Sequence, residues 1–102
     1  GVVGLETSFA ASYTGLVKTG LLSFSRLVEL MSINPARILG IPGGHIRVGD
    51  PADLTLADLE KSWVVEPEKL HSKSKNTVFK GMELTGKVVC TLCGGRIVYR
   101  CF

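Results

Sequence analysis

The sequence predicts an α-then-β segment, with helices in its first part and short antiparallel strands in its second. Three observations carry this. Apolar residues recur at spacings of three and four between residues 5 and 39, the mark of helices with one buried face. From residue 45 onward they alternate with polar residues, the period of a half-buried strand. Gly94-Gly95 separates two such alternating runs and tolerates the positive φ angles of a tight hairpin turn.

Leu5, Phe9, Tyr13, Leu16 and Val17 define one face of a first helix over residues 5–19, and Gly20 is its stop signal. Ser23 is a good N-cap for a second helix over 24–33, with Phe24, Leu27, Val28, Leu30 and Met31 as its apolar stripe. Asn34-Pro35 repeats the start signal, so Ala36 to Leu39 reads as a short third helix capped by Asn34. Gly40, Pro42, Gly43 and Gly44 then end helical structure. Ile46 and Val48 alternate with His45 and Arg47, Gly49-Asp50-Pro51-Ala52 turns the chain, and Leu54 and Leu56 alternate with Asp53 and Thr55, which predicts two short strands. Trp63-Val64-Val65 is a further strand, followed by the polar loop Ser72 to Thr77. Residues 83–93 and 96–101 form the hairpin around Gly94-Gly95.

A chain of 102 residues holds one small domain at most. With 45% hydrophobic and 21% charged residues it has a globular composition, far from the polar mixtures that stay unfolded. No apolar run approaches the roughly 18 residues that cross a bilayer, and the first residues do not resemble a secretory leader. The only methionines are Met31 and Met82, so the chain reads as a piece of a longer one. Its amphipathic helices and open strand edges, with no evident cover, point the same way. Residues 1–60 carry four basic and six acidic side chains and residues 61–102 carry eight and three, which gives −2 followed by +5. The basic half is scattered rather than clustered, so neither nucleic acid nor membrane is an expected partner. Three cysteines without a leader favour reduced thiols and a cytoplasmic setting.

Catalytic constellations are absent from the pattern. His45 and His71 lie 26 residues apart, outside any paired-histidine metal spacing. Cys90-Thr91-Leu92-Cys93 has zinc-site spacing, but a strand sends residues three apart to opposite faces and no second pair completes a tetrahedron. No Gly-x-Ser-x-Gly elbow is present. Gly1-Val2-Val3-Gly4 is the loop best suited to bring backbone N–H groups to an anionic ligand before a helix. Glu6 sits where a carboxylate would face the positive end of the first helix, a structural role preferred over acid or base work. Lys73, Lys75 and Asn76 read as a packing loop in preference to a phosphate site, and Trp63 as core.

Gly1-Val2-Val3-Gly4-Leu5-Glu6-Thr7, Asn34-Pro35-Ala36-Arg37-Ile38-Leu39-Gly40 and Gly49-Asp50-Pro51-Ala52-Asp53-Leu54 resemble the end of an amidohydrolase-superfamily barrel enzyme. Gly4 to Thr7 and Ser72-Lys73-Ser74-Lys75-Asn76-Thr77-Val78-Phe79 resemble, more narrowly, the type I bacterial dihydroorotases, in which Pro commonly stands at the position of Val78. The resemblance covers essentially the whole chain. It implies an α/β parent, a TIM barrel with a small β-sandwich, of which residues 1–40 are the last βα loop and helices and residues 41–102 the C-terminal part of the composite sandwich. It also implies a zinc-dependent cyclic amidase that interconverts N-carbamoyl-L-aspartate and L-dihydroorotate in pyrimidine synthesis. The family's zinc ligands, an His-x-His pair, two later histidines and a proton-shuttling aspartate, belong upstream of Gly1, so no catalytic or metal residue carries over. Gly1 does, as a backbone contact to substrate, with Val2, Val3 and Gly4 continuing the rim.

The implied partners are the missing N-terminal part of the same enzyme, a second copy of the chain, and aspartate transcarbamoylase. Two other readings compete: a non-catalytic dihydroorotase-like scaffold subunit for that transcarbamoylase, and a free-standing β module binding nucleic acid through the basic half. Hydantoinases and allantoinases remain as substrate variants.

Overall fold

The computed structural model describes all 102 residues. Two helical rods precede a three-stranded sheet, the order expected from the change of period. The first rod is α1 (Ser8–Ser12), continued by a wider π-turn over Tyr13–Val17. Gly20 ends it at φ 83°, a left-handed conformation that favours glycine. Its start lies later than the spacing predicts. Residues 5–7 form a turn, and Leu5, expected on the apolar face, is 96% exposed.

The second rod is α2 (Phe24–Val28), a π-turn over Glu29–Ile33 and α3 (Asn34–Leu39). Ser23 caps it as anticipated, its hydroxyl accepting from the Arg26 N–H at 3.1 Å. Asn34 is not a cap. It has helical angles, and the rod passes straight through it. The π-turn explains why Pro35 is tolerated: the Asn34 N–H donates to the Glu29 carbonyl five residues back, and this widened turn makes room for a ring that would collide with the carbonyl of a regular turn. Gly40 terminates the rod at φ 67°, and the Ile41 N–H returns to the Ala36 carbonyl at 3.1 Å, closing a Schellman motif.

The sheet has the order β1-β2-β3, all antiparallel, from β1 (Leu54–Val64), β2 (Glu83–Cys93) and β3 (Arg96–Arg100). The β2–β3 hairpin turns on Gly94 and Gly95 at φ 59° and 80°, as the sequence predicts. The two short strands expected around the 49–52 turn are not both present. His45 to Val48 forms no strand: glycines 43, 44 and 49 have positive φ, and Ile46 and Val48 are fully exposed. Four alternating residues between glycine turns find no partner strand to pair with. Leu54 and Leu56 instead begin one strand that runs through to Trp63 and Val64. It survives its charged middle by bulging between Asp58 and Ser62, where β1 spends three residues, 59 to 61, opposite Gly86 alone.

The core is thin. Ala10 from α1, Val65 just beyond β1 and Leu84 from β2 make its buried cluster, with Ala11, Trp63 and Phe79 packed against it. The first rod is fastened to β2 by Thr14, whose hydroxyl donates to the Thr85 carbonyl and accepts from the Thr85 N–H, both at 2.9 Å. Beside it the Tyr13 ring packs against Gly86. A Cβ at Gly86 would come within 2.9 Å of the Tyr13 ring, and Gly86 also has φ 95°.

Thr14→Val keeps the shape of the side chain and strips both Thr85 main-chain groups of their partner, so unfolding free energy falls by about 2 kcal/mol. Gly86→Ala combines a positive φ with overpacking against Tyr13 and costs at least as much, about 2–3 kcal/mol. Denaturant titration of each variant in the intact protein checks both, and losses under about 0.5 kcal/mol would remove the rod–sheet lock from the account.

Candidate functional site

The turn that precedes α1 meets a loop from the other end of the sequence. Thr7 is buried, and its hydroxyl and N–H both donate to the Gly4 carbonyl at 3.3 Å, which shapes residues 4–7 into a tight turn. This turn faces Glu6 outward, away from its own helix. The Glu6 carboxylate accepts from the His71 N–H at 2.9 Å, from His71 Nδ1 at 2.8 Å and from the Ser72 N–H at 3.3 Å. A role at the positive end of the first helix is therefore corrected: Glu6 clamps the loop after the short 3-10 turn Pro67–Lys69, and does so with two backbone donors and one ring nitrogen.

A second fastening lies at residues 1–3. The Asn76 side-chain amide donates to the Gly1 carbonyl at 2.7 Å, and the Val3 N–H donates to the Asn76 carbonyl at 2.9 Å. The loop between the two fastenings closes on itself through Lys75 Nζ, which donates to the Leu70 carbonyl, and through Ser74 Oγ, which accepts from the Asn76 N–H. Lys75 and Asn76 thus spend their side-chain donors on the protein's own main chain. Val78 is on the surface, and its N–H reaches no protein acceptor, so the place suits Pro as well as Val.

Between the turn, the loop and the sheet runs an open groove of about 1200 Å³, lined by Val2 to Thr7 on one wall, by Leu70, His71 and Ser72 on another, and by Trp63, Lys87 and Tyr99 of the sheet. Trp63 is part core and part wall, with its Nε1–H donating to the Gly86 carbonyl at 2.9 Å. The His71 ring meets Tyr99 edge-on at 6.3 Å. Burial, then the hydrogen bond and charge of Cys101, then Glu6, push the Tyr99 phenol up. Burial also acts to raise the Glu6 pKa, but the donors of His71 and Ser72 outweigh it and hold the carboxyl below its ordinary value.

Gly1 precedes the residues that line the first wall and is exposed, with nothing among residues 1–102 within 4 Å of where a Cβ would stand. His45 is exposed on the 41–53 segment, distant in sequence and setting from His71. Cys90 is buried and Cys93 exposed, the opposite faces that strand geometry imposes, and all three cysteines are free. No group of three or more His, Cys, Asp or Glu side chains converges, so the residues present do not fit a zinc site by themselves. No helix is long and apolar enough to cross a membrane. Sequence reasoning missed His71 as the partner of Glu6 and Asn76 as the partner of Gly1. Both pairs span more than 60 residues, and the only signal was that Gly4 to Thr7 and Ser72 to Phe79 were the two narrow motifs.

Comparison with known proteins covers nearly the whole chain. The model of the amidohydrolase family matches residues 1–98. A dihydroorotase of Syntrophus aciditrophicus is 53% identical over 100 residues, 98% of this chain and 23% of that protein. A dihydroorotase of Bacillus subtilis is 44% identical over 99 residues, 97% of this chain and again 23% of that protein. Among solved structures, an L-hydantoinase (dihydropyrimidinase) from Arthrobacter aurescens superposes with a TM-score of 0.91 at 39% identity, over 98% of this chain and 23% of its own. The chain thus spans about a quarter of the length of these relatives.

The lowered Glu6 pKa fixes the sign of one pH effect. A carboxyl held below its unfolded value contributes stability that is present above the ordinary glutamate range and is lost as pH falls through the folded pKa. Glu6→Gln should therefore lower stability by about 1 kcal/mol near neutral pH, since the contact is half exposed and an amide replaces a charged acceptor. It should also flatten the loss of stability between about pH 5 and about pH 3. Parallel acid titrations of the two proteins with the same slope would contradict the clamp.

Proposed function

The chain belongs to the amidohydrolase family, and on that premise we propose that it is the C-terminal portion of a dihydroorotase. The complete protein would interconvert N-carbamoyl-L-aspartate and L-dihydroorotate by opening and closing a cyclic amide in pyrimidine synthesis. The observation that carries this reading is the contact between the two dihydroorotase-like motifs. Gly4 to Thr7 and Ser72 to Phe79, far apart in sequence, meet through the Ser72 N–H on the Glu6 carboxylate, and Asn76 of the second motif also binds Gly1 and Val3 just ahead of the first. The identities of 44% and 53% to dihydroorotases over almost all of the chain support the same substrate.

In this reading residues 1–40 are the last βα loop and helices of a barrel, and residues 41–102 complete a small sandwich with strands from elsewhere in the protein. Gly1 gives the substrate a main-chain contact at the rim, where a glycine admits close approach. In the same reading zinc would be held by residues of the complete protein outside these 102 and would polarise the scissile carbonyl. The setting is cytoplasmic, the assembly a homo-oligomer, and aspartate transcarbamoylase a candidate partner. The likeness to an L-hydantoinase favours a second reading within the same chemistry, a five- or six-membered cyclic amide other than dihydroorotate.

The test is turnover by the purified full-length protein. Hydrolysis of L-dihydroorotate that is lost on chelation and regained with zinc is the expected result. Preference for hydantoin or dihydrouracil would select the second reading, and a folded protein inactive on all three would favour a scaffold. Gly1→Val should lower kcat/KM for dihydroorotate by about tenfold or more without changing metal content. A Cβ at Gly1 meets nothing among residues 1–102, so the substitution disturbs none of the packing described here, and an unchanged thermal midpoint of the full-length variant would separate a lost substrate contact from a disturbed fold.

A further inference from the structure

We propose that Asn76 is a positioning residue for the substrate rim, setting the orientation of the Gly1 and Val3 peptides through two hydrogen bonds to them. The inference rests on the reading of residues 1–4 as that rim and adds to it the residue that holds the rim in place.

The geometry is specific to asparagine. The Gly1 carbonyl can only accept, so the Asn76 atom 2.7 Å from it is the amide nitrogen, and the orientation of the amide follows from its partner. The Asn76 main-chain carbonyl, in the same residue, accepts the Val3 N–H at 2.9 Å. One residue therefore grips the rim on either side of Val2, at an acceptor and at a donor, and fixes the rotation of the peptides between them. Aspartate would set a carboxylate oxygen against the Gly1 carbonyl oxygen, and alanine or serine would not reach it.

Asn76 is itself held. Its N–H donates to Ser74 Oγ at 3.3 Å, and the next residue, Thr77, is buried, with its hydroxyl accepting from the Phe79 N–H. The start of the same loop is pinned at His71 and Ser72 by Glu6. Apart from Asn76 this segment has few contacts among the residues described: a Cβ at Gly1 would meet nothing, and Val2 is 61% exposed. Its angle depends on the loop, and Asn76 is where the loop touches it. Because Asn76 is exposed and outside the core, its replacement leaves the packing of Ala10, Val65 and Leu84 untouched.

The experiment uses the full-length, zinc-loaded protein with Asn76→Asp and Asn76→Ala, and Lys73→Ala as a loop control whose side chain makes no bond. Three quantities are read: kcat and KM for L-dihydroorotate, hydrogen exchange of the peptide containing residues 1–4, and the thermal midpoint. In both Asn76 variants KM should rise about tenfold while kcat changes by less than about threefold, the loss of one oriented contact being felt chiefly in binding. Exchange in residues 1–4 should quicken by at least about tenfold in Asn76→Asp, with the midpoint within about 2 °C of the parent and Lys73→Ala unchanged throughout. An active parent whose Asn76 variants keep its KM overturns the inference alone. Faster exchange with unchanged KM also overturns it, since the contact would then be only structural. A parent inactive on dihydroorotate overturns the functional reading, and the inference with it.

Discussion

The two hydrogen bonds between Thr14 and the Thr85 main chain are the contact on which the rest of the structure depends. β3 pairs only with Cys90 to Cys93, so the lower part of the central strand has β1 on one side and no strand on the other. The main chain of Thr85 would face that side unpaired, and an unpaired strand edge is costly to bury and hazardous to expose. Thr14 supplies one hydroxyl that both donates and accepts, and so stands in for the missing strand at a single rung. With it come Tyr13 over Gly86 and Ala10 against Leu84 and Val65, which is nearly all the buried apolar contact between rod and sheet.

This lock decides where the groove is. Once the first rod is fixed across β2, the turn at Gly4 to Thr7 has to emerge beside the chain that leaves β1 at Val65. That chain is in turn tied to the segment entering β2, because the Val65 N–H donates to the Met82 carbonyl and the Gly81 N–H to the Val65 carbonyl, each at 2.9 Å. The loop over residues 70–77 is thereby delivered to the turn, and Glu6 and Asn76 need only short-range bonds to complete the wall. The polar contacts finish an arrangement that packing has already brought within reach.

The order of elements was legible in the sequence because it depends on local periodicity and on glycine. Ser23 as cap, Gly20 and Gly40 as stops, and Gly94-Gly95 as hairpin turn are each set by neighbours a few residues away, and each stands as expected. The misreadings occurred where a local signal was outvoted by a distant partner. Asn34-Pro35 carries a start signal, yet a π-turn absorbs the proline and the helix continues. His45 to Val48 alternates like a strand but has nothing to pair with, whereas the charged stretch from Asp58 to Lys61 becomes strand because β2 lies alongside and a bulge takes up the excess. Glu6 shows the same limit: a carboxylate before a helix usually answers the helix, and only the fold reveals that it answers a loop 65 residues away. Of the site, the motif boundaries were legible and the pairing between motifs was not.

What holds the groove wall is different in kind from what holds the rod to the sheet. Apolar packing tolerates small shifts, since its attraction is spread over many weak contacts, but it sets direction loosely. Hydrogen bonds to main-chain groups set direction well and say nothing about side chains. Residues 1–3 are held in the second way, through the Gly1 carbonyl and the Val3 N–H. A Cβ at position 1 would meet none of the residues described, and a glycine there suits the close approach of a molecule, or of a further part of the protein, to that backbone.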